Sequence, residues 1–184
     1  MILAAATKLF LRDGYAATSM EAVAAAGISK RTLYARFADK AALLQAAVAK
    51  LIAAWLPPFD AGLEGAASLE AALLQASRQM LRTALAPEAL ALHRLVVAEA
   101  GRFAELGRIM SAAGAGLGIR RIAGLLQSAG VAEPVRAAEQ FQHLLLAGPQ
   151  YRALGLGPAL SDEECEAWAR ASVALLLRGV EKNG

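Results

Sequence analysis

The chain lacks most of what catalysis, secretion or membrane insertion demands. It has a single cysteine, Cys165, so no internal disulfide can form, and no other thiol or histidine stands at metal-ligand spacing from it. A structural thiol is favoured over a redox sensor. Aromatic residues are only 5% of the chain, and histidines number two. No window reaches about 18 apolar residues without a charge, which excludes a spanning helix. The N-terminus has no basic segment followed by an apolar run and a cleavage site, so no secretory signal is read and a cytoplasmic location is expected by default. Valine and isoleucine are also scarce, at 14 together against 76 alanines and leucines in 184 residues. Helix formers dominate the β-branched aliphatics, and the expected fold is all-α.

Charge is unevenly placed. Net charge is +3 overall, but residues 1–55 carry seven Lys/Arg against three Asp/Glu, and the remainder carries twelve against thirteen. That asymmetry points to a polyanion as partner for the first segment alone.

Residues 2–12 place Ile2, Ala6 and Leu9 at helical spacing, with Asp13-Gly14 ending the run. Thr18 followed by Glu21 reads as a capping box, starting a second helix near Ser19. Gly27 permits the left-handed turn that closes it, and Ser29 caps a third helix from Lys30 to about Phe37. Asp39 caps a fourth, which continues to about Leu56 ahead of Pro57-Pro58. The expected division is therefore a helix-turn-helix domain over 1–48, its fourth helix reaching about 56, and a larger helical domain over 57–184. Helices in the latter are expected near 68–85, 88–100, 103–129, 133–148 and 162–180.

At 100° per residue, turning Leu33 and Phe37 inward sends Arg31 and Ala35 outward, flanked by Tyr34 and Thr32. Such a face suits a DNA major groove. Arginine can bond guanine O6 and N7 together, a small alanine admits a thymine methyl, and hydroxyls reach phosphates or base edges. Lys30 and Arg36 flank this face, and Lys40 stands in the first turn of the fourth helix, where free N–H groups favour a phosphate. Thr18 offers a hydroxyl to another. A solvated basic helix is the plain alternative, and the conjunction of turn, caps and outward face argues against it.

The stretch "GISKRTLYARFADKAAL", within residues 2–48, resembles the DNA-binding domain of the TetR family of bacterial transcriptional regulators. By that resemblance Lys30, Arg31, Thr32, Tyr34, Ala35 and Arg36 occupy the recognition positions, and Thr18 and Lys40 phosphate-contacting ones. Members usually carry a polar, often basic arm before the first helix, whereas Met1 opens inside it; DNA affinity is the property such an arm serves. Residues 93–110 and 144–180 resemble the regulatory domain of AefR-like members. This implies a homodimer built on the last two long helices, a small and often apolar effector between the middle helices, and a near-palindromic double-stranded operator.

Two apolar stripes suit such a dimer: Phe141, Leu144 and Leu145, and Trp168, Ser172, Leu175 and Leu176. They suit an internal core equally. Met80, His93, Phe103, Met110, Gln140 and His143 are candidate effector contacts, each open to a structural reading as well. "GAGLG" at 114–118 has no strand before it and is not read as a nucleotide loop, and the carboxylates of "DEEC" at 162–165 suit a helix N-terminus. No catalytic grouping, metal site or cofactor motif is found. The expectation is a ligand-responsive repressor; a DNA-binding dimer with a purely structural second domain is the alternative, and an enzyme is disfavoured.

Overall fold

The computed structural model describes residues 1–27, 29–55, 66–111 and 116–181. Ten α-helices appear among them, and no strand: α1 (Ile2–Ala17), α2 (Met20–Ala25), α3 (Lys30–Arg36), α4 (Lys40–Trp55), α5 (Leu69–Leu85), α6 (Pro87–Glu99), α7 (Ala104–Ile109), α8 (Gly116–Ser128), α9 (Pro134–Tyr151) and α10 (Asp162–Glu181). A π-helical turn, Arg152–Leu156, follows α9.

Two compact units form. The first is Met1–Leu56 with Ala91–Gly114, and the second is Pro57–Leu90 with Ala115–Gly184. These units group the chain differently from the division expected near 57, because α6 begins in one unit and continues into the other. The reason is packing: Leu92, Leu95, Val96 and Leu106 belong to the same buried cluster as Phe10, Leu33, Leu43 and Leu44. Charge follows this division. The first unit has ten Lys/Arg against five Asp/Glu, and the second nine against eleven.

In the first unit, α1 breaks where the sequence indicates. Gly14 lies at φ 80°, a conformation that costs an L side chain but not glycine, and the chain turns there into Tyr15–Ala17. In the second unit, α5, α8, α9 and α10 close over Leu73, Ala76, Ile122, Leu126, Phe141 and Leu145. Two glycines permit this closeness. A Cβ on Gly148 would stand 2.9 Å from the Trp168 ring, and one on Gly118 would stand 2.5 Å from the Gln142 amide oxygen. The glycine-rich stretch at 114–118 therefore includes a packing point in α8; residues 112–115 lie outside the described residues.

The expected helix over 103–129 is instead α7 and α8, with a wider π-type turn at Met110–Ser111 between them. Ahead of α10, the Ser161 hydroxyl accepts from the Glu164 N–H (3.2 Å) and the Glu164 carboxylate accepts from the Ser161 N–H (2.8 Å). The acidic run is a reciprocal cap. Cys165 beside it is half-buried, and burial, with Asp162 and Glu164 adding, raises its thiol pKa. That keeps it protonated.

Candidate nucleic-acid interface

The recognition face is built from α2 and α3. Ser29 precedes α3 and its hydroxyl accepts from the Thr32 N–H (3.1 Å), satisfying one free donor of the first turn. The Ser29 and Thr32 hydroxyls are 2.7 Å apart, which orients the threonine side chain. Leu33 is the one residue of α3 that is fully buried, and Phe37 packs against the same core. Anchoring the helix on that side leaves Lys30, Arg31, Thr32, Ala35 and Arg36 exposed, with Tyr34 48% exposed. Arg31 and Arg36 have no carboxylate partner among the described residues.

Tyr34 is positioned by a contact to the preceding helix. Its hydroxyl donates to the Glu21 carboxylate of α2 (3.1 Å). That bond raises the Tyr34 pKa, while Glu21 is lowered by its own backbone N–H and then by Tyr34. The two helices of the motif are tied across their outer surface, and the tyrosine ring stays at the edge of the face.

Two of the expected phosphate contacts are placed otherwise. Thr18 does not cap α2: Ser19 does, accepting from the Ala22 N–H (3.0 Å). Thr18 is 2% exposed and its hydroxyl donates to the Gly14 carbonyl (2.8 Å), so it faces inward. Lys40 also turns onto the chain itself. Its ammonium donates to the carbonyls of Tyr15 (2.8 Å) and Thr18 (2.8 Å), with a longer contact to Ala16 (3.4 Å), and it lies 4.3 Å from the centre of the Tyr15 ring. An ammonium has three donors, and all three are engaged. Lys40 therefore fastens the start of α4 to the carbonyl-rich end of α1, a favourable place for a cation. The hydroxyl of Thr18 and the charge of Lys40 were legible in the sequence; their partners, up to 25 residues away, were not.

This arrangement is a short, twice-anchored helix presenting small polar groups and two arginines, Arg31 and Arg36, without a carboxylate partner among the described residues. The sequence falls into a known class. Residues 2–47 match the model for bacterial regulatory proteins of the tetR family, and residues 71–179 match the C-terminal domain of AefR-like transcriptional repressors. The chain belongs to the TetR family of bacterial transcriptional regulators. It is similar to a TetR-family regulator from Mesorhizobium loti at 32% identity and TM-score 0.86, covering 97% of this chain and 94% of that one. Similarity to the flavonoid-responsive regulator FrrA is 34% identity, TM-score 0.74, over 97% and 94% of the two chains. A TetR regulator from Agrobacterium tumefaciens is 26% identical, TM-score 0.72, over 96% and 91%. No curated protein matches significantly.

TetR-family regulators bind operator DNA and dimerise. No helix among the described residues of this one is long and apolar enough to cross a membrane.

The expected effector contacts are not brought together within a unit. Met80 is buried in the second unit, whereas His93, Phe103 and Met110 belong to the first, where Phe103 and Met110 pack on its core. Gln140 and His143 are exposed on α9. Taking Phe141 at 0°, they point to 260° and 200°, opposite Leu145 at 40°. The buried polar residue of that helix is Gln142, next to Gly118 and Met80.

The dimer stripes are rotated as well. Phe141, Leu145 and Ser172 are at most 3% exposed and belong to the chain's own core, and Leu176 packs against it. The Trp168 indole N–H donates to the Leu145 carbonyl (3.0 Å). Leu144 and Leu175 remain outside, at 40% and 52% exposure.

Proposed function

We propose that this TetR-family regulator is a homodimeric repressor, that it reads a near-palindromic operator through α3, and that a small, largely apolar effector releases it. The observation that carries the DNA reading is the outward face of α3, where Arg31 and Ala35 are exposed between Thr32 and Tyr34 and the arginine has no carboxylate partner among the described residues. Arg31 reads base edges, Lys30 and Arg36 meet the flanking backbones, and Thr32 and Tyr34 contribute hydroxyls. Lys40 and Thr18 act through the fold, holding the corner between α1 and α2.

Dimerisation is supported by the exposed apolar residues of the last two long helices. Leu144 and Tyr151 on α9, and Leu175 on α10, stand among small exposed neighbours, Ala147, Ala171 and Ala174. Small residues let helices approach closely, and a two-fold pairing would set two α3 helices in successive major grooves.

The effector reading is supported by the AefR-like match and by likeness to a flavonoid-responsive protein. Flavonoids are accordingly the first compounds to test. An effector acts only if it favours one arrangement over another, and a coupling of about 1–3 kcal/mol corresponds to roughly 5–150-fold. Isothermal titration of a flavonoid series, with and without saturating operator, tests this. The expected result is a compound whose affinity is lowered by operator by the same factor as it lowers operator affinity. Equal affinity in both titrations would remove that compound as an inducer, and no effect from any compound would remove the class.

A further inference from the structure

Arg102 is a cation of the first unit that the helix-turn-helix does not contain. It lies in the turn after α6, where the N–H groups of Arg102 and Phe103 both donate to the Glu99 carbonyl (3.0 and 2.8 Å). Its guanidinium carbon stands 5.3 Å from the centre of the Tyr15 ring and 5.3 Å from that of Phe103. Those rings meet edge to face at 4.9 Å, and Tyr15, only 6% exposed, is also stacked on Phe10 at 6.1 Å. An exposed guanidinium thus rests on a fixed aromatic floor. Contact with ring faces leaves its N–H fork available, which a carboxylate partner would not.

No carboxylate pairs with Arg102 among the described residues; the nearby Glu105 pairs with Arg108. The Lys40 ammonium lies over the same Tyr15 ring at 4.3 Å. From the two ring distances, the charges are no more than about 10 Å apart, within one Debye length at ~0.1 M salt. The Lys40 ammonium is taken up by three carbonyls, so of these two cations Arg102 is the one whose donors are free to receive an anion. Both belong to the compact unit that carries α3, at the corner where α1 turns into α2 and α4 begins.

We propose that Arg102 contacts a backbone phosphate flanking the half-site read by α3, with Tyr15 and Phe103 as its positioning residues. The contact rests on the operator reading above and adds to it a phosphate clamp from outside the helix-turn-helix. A guanidinium fork on a phosphate supplies affinity and register without reading sequence.

The test is the salt dependence of operator affinity for the full chain and its Arg102→Gln and Arg102→Lys variants, by fluorescence anisotropy on an operator and on a scrambled duplex. Because Arg102 is exposed and the edge-to-face contact of Tyr15 and Phe103 does not depend on it, unchanged circular dichroism is expected for both variants. For Arg102→Gln the slope of log K against log salt should fall by about two per dimer, one for each phosphate released, with both duplexes weakened by the same several-fold factor. Arg102→Lys should restore most of the slope. If Arg102→Gln keeps the wild-type slope and affinity on an operator that the wild type binds, the contact does not exist. Weakening of the operator alone would likewise overturn it, since a phosphate contact is blind to sequence. A wild-type protein that prefers no duplex would overturn the operator reading itself, and the phosphate contact with it.

Discussion

Lys40→Met separates a structural lysine from a phosphate-binding one. The substitution keeps an unbranched apolar stem and removes two 2.8 Å bonds to the carbonyls of Tyr15 and Thr18, the longer contact to Ala16, and the cation over the Tyr15 ring. Hydrogen bonds to charged groups contribute about 1.5–3 kcal/mol each, but Lys40 is half-buried and water can reach part of the site, which lowers the two together to about 1–2. The ring contact adds about 0.5–1. The expected loss is therefore about 2 kcal/mol, in the first unit. At a urea m-value of about 2 kcal/mol/M the midpoint falls by about 1 M, with the slope of the transition unchanged. Operator affinity should fall for every sequence alike, because the α1–α2 corner loosens, while the salt slope stays at the wild-type value. Wild-type stability for Lys40→Met together with a reduced salt slope would refute this role, for then the ammonium meets phosphate and not the carbonyls.

Arg31→Ala should weaken the preferred site by about 1–3 kcal/mol and relax preference at one base position, measured by competition with single-base variants of the site. Leu175→Glu places a charge on the exposed apolar side of α10; sedimentation should show monomers at concentrations where the wild type is dimeric, with loss of specific binding. Acid stability should depend on Glu166, whose carboxyl is held at about 2 by its hydrogen bonds to Arg78, with the Arg78 and Arg170 charges assisting. Because the folded pKa lies below the ordinary 4.5, the stabilisation is complete above that value and lost as pH falls from 4.5 towards 2. Glu166→Gln should flatten the fall of Tm across that window, and parallel curves for the two proteins would contradict the assignment.

Local signals in the sequence located most helices because the residues that start and stop them act within one turn. Ser29 and Asp39 are found capping α3 and α4, and Gly27 takes φ 91° between α2 and α3. The outward face of α3 followed from the positions of Leu33 and Phe37 alone. Thr18 misled because two adjacent hydroxyls compete for one cap: Ser19 takes it, and the β-branched Thr18 is buried with its hydroxyl on the carbonyl four residues back. The stripes on α9 and α10 misled because an apolar stripe does not declare which side of it meets the chain's own core. Phe141 and Leu145 turn inward, and Leu144, one position away, turns out. Tyr15 carried no local signal, since Lys40, Arg102 and Phe103 reach it from distant parts of the chain.

Sequence-specific reading of a duplex by a paired α3 is tested most directly by selecting binding sites from a random pool of double-stranded DNA with the 184-residue chain. The expected product is an inverted repeat whose half-site centres lie about 34–36 Å apart, or a multiple of that spacing, as two-fold symmetry on successive major grooves requires. Recovery of a pool without enrichment, or of a single asymmetric half-site, would contradict it.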